Sequence, residues 1–207
     1  MSAASRGLKR GLILAAIVAL FGVIGYLAVP QLLPQRGDGG ETAGSGVVSI
    51  GGPFSLTDQD GRIVSDKDFA GKLMLVYFGF TNCPDICPTG LQTIALAMDE
   101  LGADAAKVQP ILITVDPERD TPPVMKEYVQ AFHERLVGLT GTPEQIAAVA
   151  KAYRVYYQKV TLKESSLGYS VDHSGFIYLM DGKGQYLSHF RHDATPDQMV
   201  QKIRARL

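Results

Sequence analysis

A chain of 207 residues has room for one domain of about 150 residues and an appendage. Its 20 basic and 21 acidic residues are interspersed and leave a formal charge of −1 at pH 7, which excludes a basic nucleic-acid face and an acidic tail. Only two cysteines are present, which excludes a four-thiolate zinc site and a single-chain iron–sulfur cluster.

The appendage comes first. Arg6, Lys9 and Arg10 precede the uncharged run Gly11 to Val29, which as a helix spans about 28 Å. Residues 11–29 therefore read as a transmembrane helix. A cleavable signal peptide is the competing reading, but "GYLAVPQLLP" offers no small-x-small cleavage site. The basic cluster puts residues 1–10 in the cytoplasm and everything after the span outside it. Residues 30–46, "PQLLPQRGDGGETAGSG", are too poor in apolar surface to fold and read as a flexible tether. The globular domain is expected over residues 47–207. The short N-terminus, without a transit-like extension, points to a bacterial inner membrane, with the domain on its periplasmic side.

In the domain, "GPFSLTDQDGRIVSDKDF" predicts a hairpin turning at Asp60-Gly61. "KLMLVYFGF", Lys72 to Phe80, is a continuous apolar run, as in a strand covered on both faces. Apolar residues at Leu91, Ile94, Ala95, Met98 and Leu101 form a helical stripe closed by Gly102. "VQPILITVD", Val108 to Asp116, is a second buried strand, and a helix starts near Pro122. A short strand, "LVGLTG", precedes a helix capped by Thr142 with Pro143 in its first position. "VYYQKV" is strand-like, "HSGFIYLMDGKGQYLSHF" is a hairpin turning at Asp181-Gly182, and "TPDQMVQKIRARL" is a capped final helix. This alternation predicts an α/β, thioredoxin-like three-layer sandwich with a mixed central sheet.

Both cysteines lie in "FGFTNCPDICPT", between the first buried strand and its helix. Closing so short a loop restricts little of the unfolded chain, so a purely structural disulfide has little to contribute. At a helix start, free N–H groups and the positive dipole end lower the Cys83 thiol pKa. A thiolate there is both a nucleophile and a soft metal ligand. Residues four apart lie on one helix face with Cβ atoms roughly 5–6 Å apart, which suits chelation; a disulfide needs them near 3.8 Å, closer than an ordinary turn holds them. Pro84 and Pro88 make distortion of this first turn available, so redox chemistry stays open beside metal binding.

Two thiolates seldom complete a metal site, and imidazole is the remaining soft-compatible donor. His133, in "VQAFHERL", reads as a solvated helix-end residue, and His189 and His192, in "LSHFRHD", as a sheet edge. His173 is expected to open a buried strand, at a strand mouth within reach of the cysteines. Asp172 beside it can orient or charge-balance a metal site. A histidine satisfied in a loop is the alternative, and spacing leaves both open.

"GFTNCPDICPT", "TVDPERDTP" and "VDHSGFIYLMD", in this order, resemble the Sco/SenC family of membrane-anchored, thioredoxin-like copper chaperones. The resemblance runs from about Val47 to the C-terminus and implies copper, Cu(I) and Cu(II), as the metal. It implies Cys83, Cys87 and His173 as ligands and Cys83–Cys87 as a redox pair. It also implies a role in assembling the binuclear copper centre of cytochrome c oxidase. The implied partners are that oxidase's copper-centre subunit, an upstream copper donor and a thiol reductant. Asp116 to Pro122 match a family motif whose plainer reading is a turn and helix cap. Met74, Met98, Met125, Met180 and Met199 fall on apolar stripes and read as packing residues.

Three functions follow. A metallochaperone passes copper on by ligand exchange and turns over no small substrate. A thiol–disulfide oxidoreductase acting on a partner needs Cys83 as attacking thiolate and Cys87 as resolving thiol, and has no need of His173. A copper- or redox-responsive regulator changes a partner contact with occupancy.

Overall fold

The computed structural model describes residues 49–163 and 168–207, all within one unit, Val48–Leu207. The expected transmembrane helix and tether, residues 11–29 and 30–46, lie outside the described residues. Among the described residues no helix is long and apolar enough to cross a membrane. The strands are β1 (Ser55–Asp58), β2 (Ile63–Ser65), β3 (Leu73–Gly79), β4 (Val108–Thr114), β5 (Val137–Thr140), β6 (Tyr157–Thr161), β7 (Tyr169–His173), β8 (Phe176–Met180) and β9 (Tyr186–Arg191). The helices are α1 (Ile86–Leu101), α2 (Pro122–Gln130), α3 (Pro143–Ala152) and α4 (Pro196–Arg204), with short 3-10 turns at Asp66–Phe69 and Gly102–Lys107.

The two most apolar runs of the domain lie in the middle of the sheet. Its order is β2-β1-β5-β4-β3-β8-β9, with β3, β4 and β5 parallel and the flanking pairs antiparallel. Every residue of β3 is buried, as a strand covered on both faces requires. Consecutive residues of β3 show what covers each face. The Tyr77 hydroxyl donates to Ile86 O (3.1 Å), and its ring lies against Gly90, so α1 packs on that side. Phe78 points the other way, to Tyr153 just past α3 (centroids 5.3 Å apart) and Tyr178 (6.2 Å). Gly138 of β5 abuts Met125 and Val129 of α2, in line with Leu112 and Tyr77, so α2 shares the α1 face. Helix α4 packs against α1. The result is a mixed sheet between helical layers, as the strand–helix alternation predicts.

Local signals also act where expected. Gly61 takes φ +81° in the first hairpin turn, where the Asp58 carboxylate accepts from the N–H groups of Asp60 and Arg62. Thr142 and Thr195 form capping boxes with Gln145 and Gln198, each followed by proline. The five methionines read as packing residues are all buried.

One expectation needs correction. "VYYQKV" is strand-like as expected, but β6 pairs only with β7, in a separate two-stranded sheet. His173 therefore does not open the buried strand. It closes β7, and Ser174 and Gly175 separate it from β8. Strand propensity is local, whereas the choice of partner strand depends on packing that alternation does not encode.

Gly79, the last residue of β3, brings the sheet close to the cysteine helix. A Cβ there would lie 2.9 Å from Cys87 Sγ and 3.4 Å from Leu112 Cδ1, both fully buried, so a neighbour would have to shift. Gly79→Ala is expected to destabilise the fold by about 1–3 kcal/mol, measured by urea unfolding, because overpacking forces side chains off their rotamers. A change below about 0.5 kcal/mol, the range of neutral surface substitutions, would show that Cys87 can move aside freely.

Candidate metal centre

The chain leaves β3 at Gly79 and turns, with Cys83 N–H donating to Phe80 O (3.2 Å), before α1 begins at Ile86. The N-cap, Asp85, makes no side-chain capping bond. The cysteine sulfur serves instead: Cys87 N–H donates to Cys83 Sγ at 3.4 Å. Pro88 occupies the third helical position, where the missing N–H has no intrahelical partner to lose. The sequence thus starts the helix on the Cys83 sulfur, and the reach of the helix N-terminus to Cys83 is as expected.

Cys87 is fully buried and Cys83 half-buried, and both are free thiols. His173, far away in sequence, places Nε2 3.2 Å from Cys87 Sγ. Its Nδ1 lies 3.1 Å from Ser174 O, and its ring meets Tyr77 and Phe80 edge-on, with centroids 6.3 and 5.7 Å away. The two sulfurs and the imidazole nitrogen all lie within 4.8 Å of one another. Donors bonded to one ion at about 2.0–2.3 Å lie no more than roughly 4.6 Å apart, so this set can close on a single soft ion with little movement. Among the described residues no other group of three such side chains is assembled.

The electrostatics of the pair are asymmetric. The Cys83 thiol is pushed well below its usual range, chiefly by the hydrogen bond from Cys87, then by His173 and the N–H groups of Asp85 and Cys87. Cys87 is pushed up, by that same bond to Cys83, by burial and by the charge on its neighbour. Both shifts act in the same sense: they favour the thiolate on Cys83, the sulfur nearer solvent, and the thiol on Cys87 behind it. An open cleft of about 300 Å³ leads to Cys83, lined by Phe80, Asp85, Ile86, Asp172 and His173. Asp172 is exposed on this rim, and Ser174 O, not Asp172, orients the imidazole.

The other histidines stay apart from this group. His133 Nδ1 accepts from Arg135 N–H beyond α2 (3.0 Å). His189, on edge strand β9, meets the Tyr186 hydroxyl through Nδ1 (2.6 Å), and His192 lies on the surface beyond it. A larger groove, about 770 Å³, runs between β9 and α4 and contains neither cysteine.

The segment Asp116 to Pro122 does more than turn and cap a helix. Asp116 and Asp120 are completely buried. Asp120 accepts from Thr81 N–H (3.1 Å), Thr81 Oγ1 (2.6 Å) and Thr114 Oγ1 (2.6 Å), which ties the loop to the turn that carries Cys83. Asp116 accepts from Arg119 Nε and from the Tyr169 hydroxyl (2.8 Å), which ties it to the strand that carries His173. Burial pushes the Asp120 carboxyl up, against the hydrogen bonds that favour its charged form. Two acids and an arginine directly after a buried strand were the available signal, since buried charge demands partners. The identity of those partners was not legible.

The fold and the site together define a thioredoxin-like α/β protein in which two thiols and one imidazole form a group that could hold a metal ion. The sequence model described as SCO1/SenC matches residues 42–207. The chain is 41% identical over 194 residues to Protein SenC of Rhodobacter capsulatus (92% of this chain, 87% of that one). It is 43% identical over 157 residues to an SCO2-like protein of Rickettsia felis (76% and 77%). Among solved structures, copper-bound ScoI of Bradyrhizobium japonicum is 47% identical with a TM-score of 0.71, covering 77% of this chain and 100% of that one. BsSco, a member of the Sco family of cytochrome c oxidase assembly proteins in which a disulfide switch was identified, is 27% identical with a TM-score of 0.61 (76% and 93%). This chain belongs to the SCO1/SenC family.

The pKa asymmetry has a direct consequence. In the reduced, metal-free protein, thiolate absorbance near 240 nm is expected to correspond to one sulfur per chain at pH 7 and to persist well below pH 8. Cys87→Ala removes the S–H donor and moves that titration back up toward the ordinary thiol pKa near 8.5. An unshifted titration in the variant would assign the low pKa to the helix terminus and histidine alone.

Proposed function

We propose that this protein is a copper metallochaperone that binds Cu(I), and also Cu(II), through Cys83, Cys87 and His173 and supports assembly of the binuclear copper centre of cytochrome c oxidase. The observation that carries this reading is the placement of His173 Nε2 3.2 Å from Cys87 Sγ. Thiol exchange needs only the two sulfurs, with the imidazole at most stabilising the Cys83 thiolate, whereas two thiolates and one imidazole make a donor set that suits copper. Copper-bound relatives at 47% and 45% identity support the choice of metal.

Exposure sets the order of exchange. Cys83, half-buried at the cleft, is the ligand a partner's donor atom reaches first; Cys87, fully buried, releases last. The partners are an upstream copper donor and the copper-centre subunit of the oxidase. Residues 11–29 anchor the chain in a bacterial inner membrane, 30–46 tether it, and 47–207 work on the periplasmic side. In that oxidising compartment Cys83 and Cys87 rest in part as a disulfide, and a thiol reductant must open it before loading.

A second reading, reduction of the partner's cysteines, is favoured by the lowered pKa and accessibility of Cys83 and by the disulfide switch of BsSco. His173→Ala separates the two. It is expected to leave the cysteine pair able to oxidise and reduce but to weaken Cu(I) binding at least about tenfold, some 1.4 kcal/mol, in bathocuproine competition. Cys83→Ser and Cys87→Ser abolish both properties. Cells in which His173→Ala assembles the oxidase copper centre normally while both cysteine variants fail would establish the reductase reading.

The anchor has its own test. Mass spectrometry of the membrane fraction is expected to find residues 11–29 retained on the mature chain. A mature N-terminus near Gln31 would replace the anchor with a cleaved signal.

A further inference from the structure

The hairpin that carries His173 has little of its own to hold it. β6 and β7 pair only with each other, and an isolated two-stranded hairpin is marginally stable in water. Its internal bonds, such as Ser174 N–H to Tyr156 O (3.0 Å) and Leu162 N–H to Gly168 O (2.9 Å), join one strand to the other and fix nothing to the body of the domain. Along β7 only Val171 is fully buried.

Apart from the contact of His173 with Cys87, the polar ties from this hairpin to the rest of the described residues converge on one short stretch of loop. The Tyr169 hydroxyl donates to Asp116 Oδ1 (2.8 Å), and Arg119 Nη1 donates to Tyr169 O (3.1 Å). The Arg119 guanidinium also stacks on the Tyr169 ring, 3.8 Å from its centroid, while its Nε pairs with Asp116. Lys159 Nζ reaches Glu118 (2.6 Å), but that pair is exposed and contributes little. The Asp116–Arg119–Tyr169 group is different, because Asp116 is completely buried and Arg119 largely so. Charge-assisted bonds there hold far more firmly than at the surface.

We infer that Asp116 and Arg119 act as a latch on Tyr169 that sets the position of His173, so that these three are positioning residues for the imidazole ligand. Tyr169 starts the strand that His173 ends. Through Asp120 and Thr81 the same loop also holds the cysteine turn. One loop thereby sets the separation of the sulfur and nitrogen halves of the donor set. With the latch open, the hairpin carries the imidazole away and the cysteines stay, leaving a two-sulfur site from which a partner can take the ion more readily. The affinity consequence rests on the copper reading; the geometric one does not.

The test uses the full-length protein in detergent, with Tyr169→Phe to remove one hydroxyl and keep the ring. In the reduced, metal-free protein, the ¹⁵N signals of the His173 imidazole are expected to shift as its contact with Cys87 is lost. With Cu(I) itself as the probe, Tyr169→Phe is expected to weaken binding about tenfold, the loss of one hydrogen bond to a charged acceptor. In a His173→Ala background the same substitution is expected to change nothing further, because the latch acts only through that histidine. Glu118→Gln, which breaks the exposed ion pair and leaves Lys159 over the Tyr169 ring (4.7 Å), should leave both readouts as in wild type. Unshifted imidazole signals in Tyr169→Phe would overturn the latch, as would an equal loss of Cu(I) affinity with and without His173. If His173→Ala binds Cu(I) as tightly as wild type, the copper reading fails, and the metal-free imidazole signals alone decide the latch.

Discussion

Charge buried in the loop after β4 is the constraint on which the site depends. Asp116 and Asp120 are completely enclosed, and an enclosed carboxylate without partners costs several kcal/mol. The loop must therefore recruit donors, and it takes them from three places: Thr114 at the end of β4, Thr81 in the cysteine turn, and Tyr169 in the outlying hairpin. Each bond satisfies a carboxylate and at the same time brings a distant segment of chain into place. The donor set of Cys83, Cys87 and His173 forms where those segments meet.

The sheet supplies the rigid floor for this arrangement. β3 is buried on both faces, and Tyr77 spans from it to α1, so the start of that helix is fixed relative to the strand. Gly79 lets Cys87 approach the sheet to within contact distance. The aromatic rings of Tyr77 and Phe80 also flank the imidazole, so one strand and its end support both kinds of donor.

Within the site, burial and hydrogen bonding make the two sulfurs unequal. Cys83 faces the cleft, where hydrogen bonds favour its ionised form; Cys87 lies behind it, where burial and its neighbour's charge favour the protonated form. This inequality serves ligand exchange and thiol exchange alike, because both begin with an accessible thiolate. What distinguishes the two chemistries is the third side chain. A metal carrier benefits from an imidazole that can be held or released, and the hairpin bearing His173 is the part of the domain most loosely built into the sheet.

Much of this protein was legible in the order of its residues, because the signals concerned are local. Apolar runs mark buried strands, Thr-Pro with a glutamine two residues later marks the start of α3 and α4, and Asp-Gly marks a hairpin turn; each acts over a few residues, whatever the rest of the chain does. Cysteines four apart after a buried strand placed a thiolate at a helix start for the same reason. His173 was identified as a candidate, but in the wrong strand, because β7 is defined by its pairing with β6 and not by its own composition. The roles of the buried Asp116 and Asp120 were marked only by the run of charge after β4, and that of the half-buried Tyr169 was not marked at all. A carboxylate in a loop looks solvated until folding encloses it, and the partners that make its burial tolerable lie 39 residues away in Thr81 and 53 in Tyr169. Sequence by itself determined which elements form and which atoms can bind a soft ion. Only the tertiary structure decided which of those atoms meet, because long-range hydrogen bonds to buried charge are satisfied in space and leave no periodic trace along the chain.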